Sequence, residues 1–340
     1  MDERGRGKFC RGGAVIGAIE SRELFTLDGQ NVRLQGTYHR PRNGAAGSSA
    51  GTRVHNPIGV LFLNSLFLPR TATGDSAVYW AESFAARGYP AFRMDLPGLG
   101  DSDAPLNTAL LDFINAGGYG SIASAKIKEL VDRFGLSGVV IVGHCAGAVT
   151  AIFAAAASKE CKGVILLDPY FYLPQQMKKS KAWKRLVRWA ATSIVGGALS
   201  KIYDWLKNIR LALGGSRPPG NANFALLRRW SEVANKGLPT LLFKAPGRKS
   251  TGTKPRVGEF DYIKHIQTIA ARKSQVTVQV IDNTDHSFAN GAGRTAVREH
   301  VERWLRDCFP FSESIESETI TEASLVESNK IDYENQAQCL

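Results

Sequence analysis

Short apolar runs alternate with amphipathic helical patterns along most of the chain. The apolar runs have strand length, and Gly-containing loops follow several of them. They predict strands at Gly59–Leu63, Ala91–Asp95, Gly138–Val142, Gly163–Leu167, Thr240–Lys244 and Val276–Ile281, with helices that include Ser76–Ala86, Ser121–Phe134 and Ala146–Ser158. Apolar strands alternating with helices are typical of an α/β protein with a mostly parallel sheet covered on both faces. In such a sheet, sites lie at the carboxyl ends of the strands.

Two parts of the chain depart from this alternation. Ala14–Leu27 and Val32–His39 alternate apolar and polar residues around Asp28-Gly29, which predicts an opening antiparallel hairpin. Between Asp168 and Thr240, apolar residues recur only at helical spacing, which predicts a helical cap inserted between the sixth and seventh strands. The predicted domains are a core at 14–169 and 226–308, a cap at 170–225, and an acidic, flexible tail at 309–340.

Composition narrows the class of protein. A chain of 340 residues, 44% hydrophobic, can form one large α/β domain with an added element. It lacks the roughly 18 consecutive apolar residues of a membrane-spanning helix, and its first residues lack a signal-peptide core. The five cysteines are scattered without metal-ligand spacing, so we expect no disulfide framework, no metal and no cofactor, and a cytoplasmic location.

The net charge of +12 is concentrated in one segment. Residues 170–230 contain twelve basic residues, among them Lys178, Lys179 and Lys181, against one acidic residue, Asp204. This pattern favours a docking surface for an anionic partner. A solvated face of an amphipathic helix is the alternative interpretation.

The candidate chemistry centres on Gly143-His144-Cys145-Ala146-Gly147, which follows an apolar strand and opens an Ala-rich helix. A strand–turn–helix of this kind is the setting of a nucleophile elbow, here with cysteine where serine is usual. The helix N-terminus favours a thiolate at Cys145. A buried structural cysteine is the alternative.

His286 follows the last predicted strand, in Asp285-His286-Ser287-Phe288. Nucleophile first and histidine after the final strand is the order expected of a hydrolase-type triad. A neutral imidazole near Cys145 would accept the thiol proton.

These landmarks resemble the α/β-hydrolase superfamily from about Ala14 to Cys308, and are especially similar to serine-aminopeptidase-like and exosortase-associated hydrolases. The matching segments are 63–67 (Leu-Asn-Ser-Leu-Phe), 93–102 with its D-x-x-G-x-G-x-S pattern, the elbow, and 285–288. The resemblance implies an oxyanion hole formed by the backbone N–H groups of Ala146 and Leu66.

The acid of the triad departs from the family pattern. Where a carboxylate is expected after Thr240–Lys244, the sequence is Ala-Pro-Gly-Arg-Lys at 245–249. Asp168, at the end of the preceding strand, is the favoured candidate. Glu259 and Asp261 remain alternatives.

Three functions follow. The first is a thioesterase or acyltransferase that forms an acyl-Cys145 intermediate, with an acidic acyl-carrier protein or coenzyme A docked on the basic segment. The second is a carboxylester or lactone hydrolase. The third is a non-catalytic ligand-binding protein on the same fold. Neither nucleic acid nor stable membrane insertion is expected, and the oligomeric state is left open.

Overall fold

The computed structural model describes most of the predicted core. The described residues are 21–29, 32–42, 57–173, 218–246, 260–271 and 273–311. Most of the predicted cap, the tail from residue 312, Glu259 and the basic residues Lys178, Lys179 and Lys181 lie outside them. The start of the predicted first strand, residues 14–20, also lies outside the described residues.

Eight strands form one sheet in the described chain, in the order β1-β2-β4-β3-β5-β6-β7-β8. Strand β2 runs antiparallel to β1 and β4, and the pairs from β4 to β8 are parallel. The strands are β1 Arg22–Gly29, β2 Val32–His39, β3 Ile58–Leu63, β4 Ala91–Met94, β5 Gly138–His144, β6 Cys161–Leu167, β7 Thr240–Lys244 and β8 Val276–Val280. The predicted mostly parallel sheet and its opening hairpin are confirmed.

Helices cover both faces of this sheet. Those of the described residues are α1 Ser76–Ala86, α2 Leu110–Asn115, α3 Gly118–Phe134, α4 Ala146–Ala157, α5 Phe224–Asn235, α6 Tyr262–Ala270 and α7 Gly291–Cys308. Buried side chains of α1 and α7 form one core layer with β3 and β5, and those of α2 to α6 form the layer on the opposite face. Within the described part of the chain, no helix has the length and apolarity needed to cross a membrane.

Two helix positions differ from the sequence prediction. Helix α2 was not predicted, because six residues are too few to show a helical period. Helix α5 begins at Phe224, so the predicted boundary between cap and core at 225/226 falls inside it. Trp230 of α5 is fully buried, and its indole N–H donates to the backbone oxygen of Ile266 in α6 at 2.9 Å. Helix α5 is therefore packed into the core.

The connections of β3 and β5 leave the sheet in opposite directions. Strand β3 leads to β4 on one side, whereas β5 leads to β6 on the other, so the carboxyl ends of β3 and β5 flank a topological switch point. A crevice forms at such a point because the two loops diverge. Leu66 follows β3, and Cys145 follows β5.

The backbones of the two loops approach each other closely at this crevice. A Cβ atom built on Gly147 would lie 2.6 Å from the backbone oxygen of Asn64, and one built on Gly143 would lie 2.3 Å from the backbone oxygen of Gly147. Real Cβ contacts are not this short, and neither neighbour is a flexible side chain. Glycine at both positions therefore allows the elbow to pack against the end of β3.

We expect Gly147→Ala to separate these two segments. The added methyl group should lower the free energy of unfolding by about 1–3 kcal/mol, as overpacking typically does, and should reduce the reactivity of Cys145. Gly291→Ala is the matched control, since it also lies in the first turn of a helix and a Cβ there meets nothing within 4 Å. Urea unfolding and Cys145 alkylation rates measure the two effects. Equal stability of both variants would contradict the close approach.

Candidate active site

Cys145 occupies a strained turn between β5 and α4. Its φ of 52° and ψ of −111° are unfavourable for a residue with a side chain. A conformation of this kind costs about 1–3 kcal/mol and is maintained only by its surroundings. Here the Cys145 N–H donates to the backbone oxygen of Leu167 at 2.9 Å, and the Ala148 N–H donates to the oxygen of Cys145 at 3.1 Å. The strand neighbour and the first turn of α4 thus hold the cysteine at the carboxyl edge of the sheet.

His286 lies in the loop between β8 and α7. Asn290, the N-cap of α7, accepts the Gly293 N–H at 2.7 Å and donates from its side chain to the backbone oxygen of Asn283 at 2.8 Å, which closes this loop. Within the loop, Asp285 accepts the Ser287 N–H and hydroxyl, and these hydrogen bonds lower the pKa of Asp285.

The loop brings His286 to the elbow. The imidazole rings of His286 and His144 have centroids 4.6 Å apart, and the His144 Nε2 atom contacts the backbone oxygen of His286 at 2.7 Å. His144 directly precedes Cys145 in the chain. The structure therefore brings His286 beside the residue that begins the elbow turn.

Asp168 is the acid that contacts the histidine. Its Oδ2 atom is within hydrogen-bonding distance of Nδ1 of His286. The Asp168 side chain is buried, and its backbone N–H donates to the oxygen of Phe243 at 2.8 Å, which extends the β6–β7 ladder by one step. Such a contact orients an imidazole and favours its protonated form.

For neither Asp261 nor Glu259, the alternative acids, does the structure describe a contact with His286. Asp261 is the N-cap of α6, and its carboxylate accepts the backbone N–H of Lys264 at 3.0 Å. Glu259 lies outside the described residues. Of the three candidate acids, Asp168 is the one for which the structure records a contact with His286.

The two predicted oxyanion-hole residues lie on either side of the crevice. Ala146 is the first residue of α4, and Leu66 lies in a turn after β3 in which the Leu68 N–H donates to the oxygen of Ser65 at 3.0 Å. Leu66 has a φ of 47°, a second strained position at this edge. The contact of Gly147 with Asn64 joins the two segments. Their backbone N–H groups as oxyanion donors remain a prediction.

A buried carboxylate ties the loop after β3 to the loop after β4. Asp95 is fully buried and accepts hydrogen bonds from the Asn64 side chain at 2.8 Å, the Arg70 N–H at 2.7 Å and the Asp101 N–H at 3.1 Å. The Arg70 guanidinium also pairs with Asp95, and with Asp101 at 2.6 Å. The Asn64 side-chain oxygen accepts the Leu96 N–H at 2.8 Å. The segments 63–67 and 93–102 contain Asn64, Asp95 and Asp101, but neither their partnership nor the part of Arg70 in it was predicted.

Lys244 is a second residue that sequence reasoning missed. It ends β7, only 7% of its surface is exposed, and burial lowers its pKa, while the carboxylates of Asp261 and Asp168 act in the opposite direction. A basic residue closing an otherwise uncharged strand was the available signal.

The other described histidines have structural partners. His39 accepts a hydrogen bond from the Arg93 guanidinium at 2.9 Å, and burial lowers its pKa to about 3. The Nδ1 atom of His300 contacts the backbone oxygen of Ala296, one turn earlier in α7. His265 packs against Phe260, while His55 lies outside the described residues. In the portion of the chain that the structure describes, no group of three or more histidine, cysteine or acidic side chains could hold a metal ion.

Solved structures resemble this chain along most of its length. DcsB, in a complex with its substrate analogue, has 12% sequence identity and a TM-score of 0.54, with 84% of this chain and 99% of that chain covered. The esterase PF2001 of Pyrococcus furiosus has 15% identity and a TM-score of 0.54, with 84% and 90% covered. At sequence identities this low, these structural matches show a shared fold and nothing more. No curated protein matches the chain.

The family assignment comes from the sequence of the core. A model described as the alpha/beta hydrolase family matches residues 60–298, a range that includes Leu66, Cys145, Asp168 and His286. The match covers well over half of the chain, and the fold agrees with it. The chain belongs to the alpha/beta hydrolase family.

Proposed function

We propose that this protein is an acyl-transfer enzyme in which Cys145 forms a covalent acyl intermediate, with His286 as the general acid and base and Asp168 as its orienting partner. A thioester is the proposed acyl donor, so the enzyme acts as a thioesterase or an acyltransferase. The observation that carries the proposal is the contact of Asp168 with His286, whose ring lies against His144, the residue that precedes Cys145 at the strained elbow.

Acylation begins with proton transfer from the Cys145 thiol to Nε2 of His286. The Asp168 contact at Nδ1 supports this assignment, because it fixes the Nδ1–H tautomer and directs the other ring nitrogen to proton exchange. The thiolate then attacks the donor carbonyl carbon, and the developing oxyanion accepts hydrogen bonds from the N–H groups of Ala146 and Leu66. When the C–S bond to the donor breaks, His286 returns the proton to the departing thiol.

Deacylation repeats these steps with a second nucleophile. His286 accepts a proton from the acceptor, which attacks the acyl-Cys145 carbonyl, and then protonates the Cys145 sulfur as the bond to it breaks. An acyl-cysteine is itself a thioester and is more reactive toward amines and thiols, relative to water, than an oxoester. Cysteine in place of serine therefore favours transfer to such an acceptor over hydrolysis.

Ester or lactone hydrolysis is the second candidate. The same residues would perform it with water as acceptor, and the family is one of hydrolases. One protein with a related fold, PF2001 of Pyrococcus furiosus, is named an esterase. The choice between transfer and hydrolysis rests on the relative rates at which amines and water remove the acyl group from Cys145.

The proposed donor partner comes from the sequence. The basic segment at 170–230 follows β6 and Asp168 in the chain. Its positive charge is suited to an acidic acyl-carrier protein or to the phosphates of coenzyme A. Lys178, Lys179 and Lys181 lie outside the described residues, and the partner remains a proposal from charge alone.

The proposal predicts an acyl adduct on Cys145. Intact-mass analysis after incubation with acyl thioesters of varied chain length should show the mass of one acyl group on the wild type and none on Cys145→Ala. Cys161→Ala is the matched control and should remain acylated, because Cys161 is buried and burial raises its pKa to about 12. Cys145→Ser should retain weak hydrolysis, since a hydroxyl ionises far less readily than a thiol.

The fate of the adduct separates the two candidate functions. An added amine that shortens the lifetime of acyl-Cys145 and appears in the product would support transfer. An adduct lost at the same rate with and without amine would favour hydrolysis. Full turnover by Cys145→Ala would refute the nucleophile assignment itself.

The Asp168 assignment has a matched test with Asp261. We expect Asp168→Asn to lower kcat/KM at least about tenfold, because His286 loses the acceptor that fixes its tautomer, whereas His286→Ala should cost about 10²–10⁴. Asp261→Asn should retain most of the activity, since asparagine caps a helix about as well as aspartate. The measurement is kcat/KM at the optimal pH. Damage confined to the Asp261 variant would transfer the orienting role to the later loop.

A further inference from the structure

Lys244 lies directly beside the acid of the proposed site. Leu167 pairs with Phe243 across β6 and β7, so the next residues along the two strands, Asp168 and Lys244, are neighbours. The backbone oxygen of Lys244 accepts the Ile281 N–H at 3.0 Å, at the start of the segment that leads to His286. The lysine thus lies between the strand end that carries the acid and the loop that carries the base.

The Lys244 side chain is unusually buried for a lysine. A lysine is almost never this deeply buried unless an opposite charge accompanies it. Asp261, at the N-terminus of α6, and Asp168 both favour the charged ammonium against the effect of burial. The Asp168 carboxylate therefore interacts with two cationic partners, the Lys244 ammonium and, when it is protonated, the His286 imidazolium.

We propose that Lys244 is a positioning residue for the Asp168–His286 pair, and that its ammonium offsets part of the Asp168 charge so that His286 accepts the Cys145 proton at neutral pH. This inference rests on the proposed function and adds the electrostatic setting of its base. A bare, buried carboxylate at Nδ1 would instead stabilise the protonated imidazole strongly.

Several charged and titratable groups surround Lys244 and His286. Asp168, from the end of β6, and Asp261, from α6, both act on the Lys244 ammonium. From the loop before α7, Asp285 interacts electrostatically with His286, and from β5 the His144 ring lies against it. Asp285 is exposed to solvent, which screens its effect, whereas Asp168 and Lys244 are buried and interact more strongly.

Loss of the Lys244 ammonium should raise the pKa of both His286 and Cys145. Removal of this positive charge stabilises the His286 imidazolium and destabilises the Cys145 thiolate, and each change raises the pKa of the group concerned. An opposite charge in direct contact shifts a pKa by about 1–3 units, and a charge acting through Asp168 should shift it by about half a unit to one unit.

The experiment follows Cys145 without substrate. The rate of iodoacetamide alkylation is measured against pH and assigned to Cys145 by peptide mass spectrometry. We expect Lys244→Met to raise the midpoint of this profile by about half a unit to one unit, and Lys244→Arg to restore most of the difference. Asp261→Asn removes a negative charge while keeping the helix cap, so it should move the midpoint in the opposite direction. Lys128→Met, on an exposed face of α3, should leave the midpoint unchanged.

An unchanged midpoint in folded Lys244→Met would overturn the proposal and would assign Lys244 to the stability of the strand end alone. Circular dichroism and Tm establish folding. If that variant does not fold, Lys244→Gln keeps a polar head without the charge, and a failure of Asp261→Asn to lower the midpoint would also refute the proposal.

The test is independent of the acyl-transfer function. The alkylation midpoint of Cys145 is measurable whether or not the protein accepts a thioester, so a shift without any acyl adduct would support the electrostatic role of Lys244 and refute the proposed reaction. An adduct without a shift would support the reaction and refute the role of Lys244.

Discussion

The buried carboxylate of Asp95 is the interaction on which the edge of this site depends. It joins the segment that begins at Asn64 to the loop after β4 by accepting hydrogen bonds from both and by pairing with the Arg70 guanidinium. An isolated buried charge is highly unfavourable, but one with a cation and several N–H donors is well accommodated. Loss of one partner from a buried pair typically costs about 3–5 kcal/mol. The loop that carries Leu66 is therefore held by a charge network in addition to its own turn.

Strained backbone is concentrated at the same edge. Leu66, Cys145 and Asp168 all have a positive φ, each following the end of a different parallel strand. Each such conformation costs about 1–3 kcal/mol and requires its surroundings to enforce it. The ladder hydrogen bonds from Cys145 to Leu167 and from Asp168 to Phe243 do so, because both continue pairing that the apolar strands have established. The core thus stabilises a geometry that the local sequence would avoid.

Three charged residues, Asp168, Lys244 and Asp261, form a chain of electrostatic interactions that begins at His286. Asp168 is in direct contact with His286, Lys244 ends the strand next to Asp168, and Asp261, at the start of α6, interacts electrostatically with Lys244. The family pattern places a carboxylate after β7. In this chain β7 ends in Lys244, and the aspartate that contacts His286 follows β6 instead. The proposed cysteine nucleophile would suit this arrangement, because a thiol needs a weaker base than a hydroxyl does.

By itself, the sequence determined the sheet, the opening hairpin, the elbow and the order of Cys145 and His286. These features depend on residues close together in the chain: apolar runs, a Gly-flanked turn, and a helix start. Only the tertiary structure showed that Asp168 contacts the imidazole of His286, because that contact joins residues 118 positions apart. The Asp95 network and the burial of Lys244 also became visible only in the tertiary structure. Both depend on which strand ends are neighbours in the sheet, and strand order is a property of the whole fold that local periodicity does not encode.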